Sequence, residues 1–370
     1  MNQKCTQETF TPPFCPNTNC FDHICEDYTY TQYVRNGWKY TQKPPGFNQK
    51  FKCTTCQKGF SYNTFSIDFR KKIINLGEEV LFSSMNGMSN SSIALKLQVS
   101  EATVRNRFKF IGRQSLLFEK HMHEDLVIRE SVAYDGFESF TYDQYSPCYI
   151  NTSVGSKSMY TYSTVFSPLN RKGRMTDNQK EKLKKLIKTH GRYPTTGISD
   201  SSEYVFKWLK SHTKGVLNLF SDEHQSYTRA LKNISLENIE HTTINSKEAR
   251  TATNKLFPIN HLHRSYRHFF SSQQREAIAF QKNEAGMMDK IQIMKIYKNF
   301  MRTKFSRCSN YDPKAGTDSP AMYVNLADHV LSFNEIFKRR RMVSHHKLDH
   351  EELNFYNRIY DYSRRVIDQM

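Results

Sequence analysis

The sequence predicts an α/β core preceded by two small modules, one β-rich and metal-bound, the other all-α. Three observations carry that expectation. Six of the eight cysteines fall before residue 57, a helix rich in Arg and Lys follows a tight turn near residue 100, and strand-like runs begin at residue 130 and then alternate with helical patterns. A chain of 370 residues has room for two or three domains and an ample core. Its 54 Lys+Arg against 36 Asp+Glu leave a formal charge of +18, which favours a polyanionic partner, and aromatics at 13% supply stacking surfaces as well as core. No window approaches the ~20 apolar residues of a membrane span, and the polar start MNQKCTQETF lacks the apolar centre of a signal peptide. A soluble intracellular protein with reduced cysteines is expected.

The first module is placed at residues 1–66. Cys15-Pro16-x3-Cys20 and Cys53-x2-Cys56 form two cysteine pairs joined by β-rich sequence with a turn expected at Asn36-Gly37. Two such pairs on two turns are how a zinc ribbon sets four thiolates around structural Zn²⁺. The Cys53 pair is the sharper half; the looser spacing of the other leaves Cys25 or His23 open as a substitute for Cys20.

Residues 67–120 read as helical. Leu76 to Met85 forms one helix, Ser89 caps a short second carrying Ile93, Leu95 and Leu97, and Ser100 caps a third over Glu101 to Phe110. A short helix, the turn Gln98-Val99-Ser100 and a basic helix are the parts of a helix-turn-helix that enters the major groove. Thr103, Arg105, Asn106, Arg107 and Lys109 are its candidate DNA-facing residues, and Val104, Phe108 and Ile111 fall at core spacing. An ordinary helical hairpin with a solvated basic face has the same pattern; the preceding ribbon and the net charge favour DNA.

Residues 128–305 carry the α/β pattern. A strand holding Asp135 is followed by two more at Tyr149–Val154 and Met159–Phe166, then by an amphipathic helix from Thr176 to His190. The apolar run Val216–Phe220 ends in Ser221-Asp222-Glu223, either a buried strand delivering a carboxylate to its end or a strand followed by an N-cap aspartate. A fifth strand at Ile239–Ile244, a helix from about Asn260 and a last helix over Glu284–Phe305, with Met287, Ile291 and Met294 inward, complete a mixed sheet with flanking helices in the order of an RNase H-like domain. Beyond residue 306 the pattern weakens. Lys338-Arg339-Arg340-Arg341 and His345-His346-Lys347 read as a basic helical tail, either solvated or touching a DNA backbone.

Together the ribbon, the helix-turn-helix, Asp135-x2-Glu138-x-Phe140, Ser221-Asp222-Glu223-x3-Tyr227, Phe257-x2-Asn260-His261 and Arg267 resemble bacterial insertion-sequence transposases with a DDE-type catalytic domain. The resemblance spans about residues 13–305 by motif order. It implies strand cleavage and transfer on double-stranded DNA by at least a dimer, in the cytoplasm on the nucleoid, with Asp135 and Asp222 holding Mg²⁺ or Mn²⁺. Glu138, an odd number of residues from Asp135, turns to the opposite face and is read as supporting. The third acid of such enzymes is missing where it is expected: the region reads Asn260-His261-Leu262-His263-Arg264-Ser265-Tyr266-Arg267. His261 is the best-placed third group and Glu276 the best chemically, while Arg264 and Arg267 are read as gripping the DNA backbone. A transposase-derived DNA-binding protein without cleavage is the alternative that this departure suggests.

Overall fold

The computed structural model describes residues 7–24, 33–41, 46–234, 238–274 and 280–360. The chain divides into two compact units, one of Met1–Leu76 with Ser332–Leu348, the other of Gly77–Leu331 with Asp349–Met370.

In the first unit, β1 (Tyr33–Tyr40), β2 (Phe47–Cys53) and β3 (Gly59–Ser61) form an antiparallel sheet in that order. Asn36-Gly37 does not turn the chain as its sequence suggests. It sits inside β1 as a bulge, where pairing with β2 shifts register between Arg35 and Trp38 and Gly37 adopts φ +67°. An Asn-Gly step supplies the left-handed conformation that a tight turn needs and serves a bulge equally well. Phe10, Phe51 and Phe65 make the core, covered by Phe14, Tyr33, Phe60, Tyr62 and Met342. Met342 belongs to the basic run, which is therefore no free tail. The Arg339 guanidinium lies 5.1 Å from the centre of the Phe10 ring and that of Arg340 4.9 Å from Phe69, while the Arg340 N–H donates to the Phe65 carbonyl at 2.7 Å. Planar guanidinium groups stack well on aromatic rings, so the run clasps the sheet.

The second unit contains α1 (Gly77–Met85), α2 (Asn90–Lys96), α3 (Glu101–Met122), β4 (Val132–Phe140), β5 (Pro147–Gly155), β6 (Thr161–Pro168), α4 (Asp177–His190), α5 (Gly197–Ser211), β7 (Leu217–Ser221), α6 (Gln225–Lys232), β8 (Ile239–Thr243), α7 (Phe257–Phe269), α8 (Glu284–Phe300) and α9 (His350–Asn357). Ser89 and Ser100 cap α2 and α3 as expected, each accepting a backbone N–H three residues on at 3.2 Å. α3 runs on past Phe110 because Ile111, Leu116, Leu117 and Phe118 continue its buried stripe. That stripe packs along α8, whose Met287, Ile291 and Met294 are buried. A Cβ at Gly112 would stand 2.9 Å from the Asp289 carboxylate, so glycine permits the close crossing.

The sheet has the order β6-β5-β4-β7-β8, with β4, β5 and β6 antiparallel and β4, β7 and β8 parallel. Alternation along β4 sends neighbouring side chains to opposite layers. Tyr134 reaches α5 and α6 through Ser202 at 2.8 Å and the Tyr227 ring at 4.9 Å, whereas Phe137 meets Tyr266 of α7 at 5.4 Å. α5, which the sequence reading passed over, buries Val205, Phe206 and Leu209 beside β5 and β6. α4 buries nothing and leaves Leu183, Leu186 and Ile187 half-covered, a surface helix as its charge pattern predicts. No helix among the described residues is long and apolar enough to cross a membrane.

Candidate functional site

Two groups of chemistry-bearing residues stand out, one in each unit. In the first, the Sγ atoms of Cys15, Cys20, Cys53 and Cys56 all lie within 4.8 Å of one another, with Cys15–Cys56 at 3.6 Å and Cys20–Cys53 at 3.7 Å. A tetrahedral ion with Zn–S bonds of about 2.3 Å would space its sulfurs about 3.8 Å apart. Cys53 ends β2, and Gln57 in the left-handed region at φ +61° swings the chain round Cys56 into β3. Cys20 occupies the position that the sequence left open. His23 is engaged elsewhere, with Nδ1 2.6 Å from the Cys15 carbonyl oxygen and Nε2 2.6 Å from Ser344 Oγ, and Cys25 lies outside the described residues. Burial pushes the Cys15 and Cys53 thiols up, Cys53 to about 11. Sulfurs so placed become thiolates against a cation, which is the state a metal would stabilise.

The second group is set by sheet register. β4 and β7 run parallel, with Val132 opposite Leu219 and Ala133 opposite Phe220. Continued to the end of β7 and one residue beyond, that register brings Asp222 alongside Asp135. Asp222 follows the strand directly, and its Oδ1 accepts the His224 N–H at 3.0 Å in the turn into α6. The N-cap of α6 is His224 and not Asp222.

Asp135 uses its two oxygens differently. Oδ1 accepts the Gly136 N–H at 2.8 Å and the Tyr227 hydroxyl at 3.2 Å, with the Tyr149 hydroxyl at 3.5 Å and the two phenol oxygens 2.8 Å apart. Burial pushes both phenols up, so they remain donors. Residue 136 has to be glycine, because a Cβ there would stand 1.7 Å from the Tyr149 ring. Oδ2 faces Nδ1 of His263 at 3.9 Å, and the Asp135 side chain keeps 22% of its surface. Burial first, then the charge of Asp222, pushes the Asp135 carboxyl up to about 7, against the Gly136 N–H, the Tyr227 hydroxyl and the more distant Arg250. His263 cannot neutralise the pair. Burial, then Arg267 and Arg250, bring its imidazole down to about 3, and its Nε2 is buried with no hydrogen-bond partner. Asp135 thus has the charge of Asp222 nearby and a neutral imidazole 3.9 Å from Oδ2.

The other predicted residues scatter. His261, two positions before the histidine that meets Asp135, packs its ring 5.7 Å from Phe305; burial, then Lys298, Arg264 and Arg302, hold it down to about 4. Arg264 is exposed, Arg267 lies 5.0 Å from the centre of the Phe137 ring, and Glu276 falls outside the described residues. On α3, Asn106 and Arg105 are exposed, Arg105 paired with Glu101 at 3.1 Å, while Thr103 and Lys109 are half-buried. Arg107 departs from the expected DNA-facing set: it is 4% exposed, because it follows the stripe of Val104, Phe108 and Ile111 into the protein. Glu138 is exposed on β4. The sequence reading missed Tyr149, Tyr227, Arg250 and His263. One signal for His263 was there, since it lies four residues after Ile259 and three before Tyr266, on the buried stripe of α7.

No protein-family profile matches the chain, and no curated protein matches it. Among solved structures, the chain is similar to part of a cryo-electron-microscopy structure of the simian T-cell lymphotropic virus intasome in complex with PP2A regulatory subunit B56 gamma. The match is 12% identical, covers 65% of this chain and 72% of the other, and has a TM-score of 0.21.

Proposed function

We propose that the chain is a DNA transposase of the insertion-sequence kind, with a zinc ribbon, a helix-turn-helix and an RNase H-like catalytic core. The observation that carries this reading is the parallel register that aligns Asp135 with Asp222 at the centre of a β6-β5-β4-β7-β8 sheet. Open α/β sheets gather their chemistry where neighbouring strands deliver side chains to a shared edge. Asp135 through Oδ2, and Asp222, would hold Mg²⁺ or Mn²⁺, and the four cysteines Zn²⁺. The bound divalent ion would supply charge stabilisation at a scissile phosphodiester and activate the attacking oxygen. Tyr149 and Tyr227 fix the Asp135 carboxylate so that a single oxygen is presented. The charge of +18 suits duplex DNA, both element ends and target, and pairing two ends calls for at least a dimer.

The test is cleavage of an end-bearing duplex in Mg²⁺ or Mn²⁺. Asp222→Asn should lose at least about a thousandfold in rate, in line with removal of a principal stabiliser of developing charge. A variant that cuts as fast as the unmodified protein would falsify the assignment. One observation favours a second reading, a transposase-derived DNA-binding protein without cleavage: among the described residues no third carboxylate joins the pair, and α7 offers His263 instead. Specific binding of ends without metal-dependent nicking would select it.

A further inference from the structure

The second unit has a half-open cavity of about 300 Å³ between the first turns of α3 and α8. Its charged lining does not cancel. Glu101 pairs with Arg105 at 3.1 Å and Asp289 pairs with Arg358, which leaves Lys282 and Lys290 as cations without a carboxylate among the described residues. Lys290 is 7% exposed, and among the described residues its close partner is the Phe108 ring, 5.3 Å from Nζ to the ring centre. Burying an ammonium group beside an aromatic face alone is costly, and such a charge is ordinarily paired. Lys282 is exposed and the Ser271 side chain lines the same space, so a buried cation, a rim cation and a neutral hydroxyl border one cavity.

We propose that this cavity is an oxyanion site that takes a phosphate group, held by Lys290 at its floor and Lys282 at its rim. Two unpaired cations match the charge of a phosphate, and serine hydroxyls are common neutral donors to its remaining oxygens. Burial holds the Lys290 amine down to about 8, so an arriving anion would also draw its proton on more firmly. Volume sets a limit as well: the space lies at the small end of the range for ligand sites. The residues are separate from Asp135 and Asp222, and the site stands whether or not the chain cleaves DNA.

Inorganic phosphate titrated calorimetrically into the full-length protein near pH 7 is the probe. Saturable binding is expected, weakened about tenfold or more in Lys290→Met and about threefold in Lys282→Ser, since a charged hydrogen-bonding partner is lost in each. Lys290→Met removes a buried unpaired charge and should melt no earlier than the unmodified protein; Lys282→Ser changes an exposed residue and guards against a folding defect. No saturable binding by the unmodified protein, or undiminished binding by a folded Lys290→Met, overturns the proposal. Displacement of bound phosphate by a short DNA duplex would identify the ligand as a backbone phosphodiester, and retention in its presence would identify a free phosphate or phosphate ester; both outcomes support the site.

Discussion

The cysteine group and the aspartate group solve the same electrostatic problem by opposite means. Four sulfurs converge from two short stretches of the first unit, each group within a few residues of its partner, and all four lie within 4.8 Å of one another, close enough to hold one metal ion. The aspartates sit 87 residues apart in sequence and are brought to neighbouring strand positions only because β4 and β7 pair in parallel. Asp135 faces a neutral histidine and is propped by tyrosines from β5 and α6. The cysteine sulfurs are mostly buried, whereas the Asp135 side chain keeps 22% of its surface.

The sharpest way to break this contrast is to withdraw metal. Structural zinc contributes on the order of 10 kcal/mol to small domains, so a strong chelator, or Cys53→Ser, should leave the first unit open to protease while the second still melts cooperatively. If the first unit survives both treatments, the cysteines are not a metal centre. Next in size is Gly136→Ala. Its methyl group would drive the Tyr149 ring away from Asp135, costing about 1–3 kcal/mol in denaturant unfolding of the second unit. A neutral result would show that Tyr149 has another place to go.

Acid separates the units again. His123 in the second unit lies 3.0 Å from the Tyr160 hydroxyl and is kept neutral chiefly by burial, then by the charges of Lys295, His212 and Lys120. Its folded pKa is depressed below the unfolded value of about 6.5, so the unfolded chain binds the proton more readily. The stability it contributes is complete above that pH and drains as pH falls below it. His123→Gln should reduce the pH slope of stability below about 6.5 by up to one proton, an effect that added zinc leaves untouched. The smallest effect belongs to Tyr227→Phe, which removes a donor to Asp135 and should weaken Mn²⁺ binding about three- to tenfold. Asp135→Asn is its control: if that variant binds Mn²⁺ undiminished, the ion is not held at this site at all.

What the sequence made legible follows the same division. Caps at Ser89 and Ser100, the buried faces of α3 and α8 and the cysteine pairs depend on neighbours within a turn or two, and local chemistry states them. Bulge and turn share one Asn-Gly signal, so Gly37 was readable as a conformation and not as a position in the sheet. The part that Tyr149 and Tyr227 play beside Asp135 carries no local mark, because it arises from a glycine on one strand, a tyrosine on the next and a helix on one face. The two histidines of α7 differ for a related reason: motif order locates the helix, but its apolar stripe says that His263 is the one on the face turned to Asp135.

The clasp of residues 332–348 on the first unit also has a consequence in time. During synthesis the three strands and four cysteines of that unit emerge early, yet the segment bearing Met342 and Arg340 appears roughly 270 residues later. At about 5–20 residues per second, the half-covered core of Phe10, Phe51 and Phe65 waits some tens of seconds for its lid. A chain broken off before residue 332 would keep Phe14, Tyr33, Phe60 and Tyr62 over that core and lose the cover of Met342.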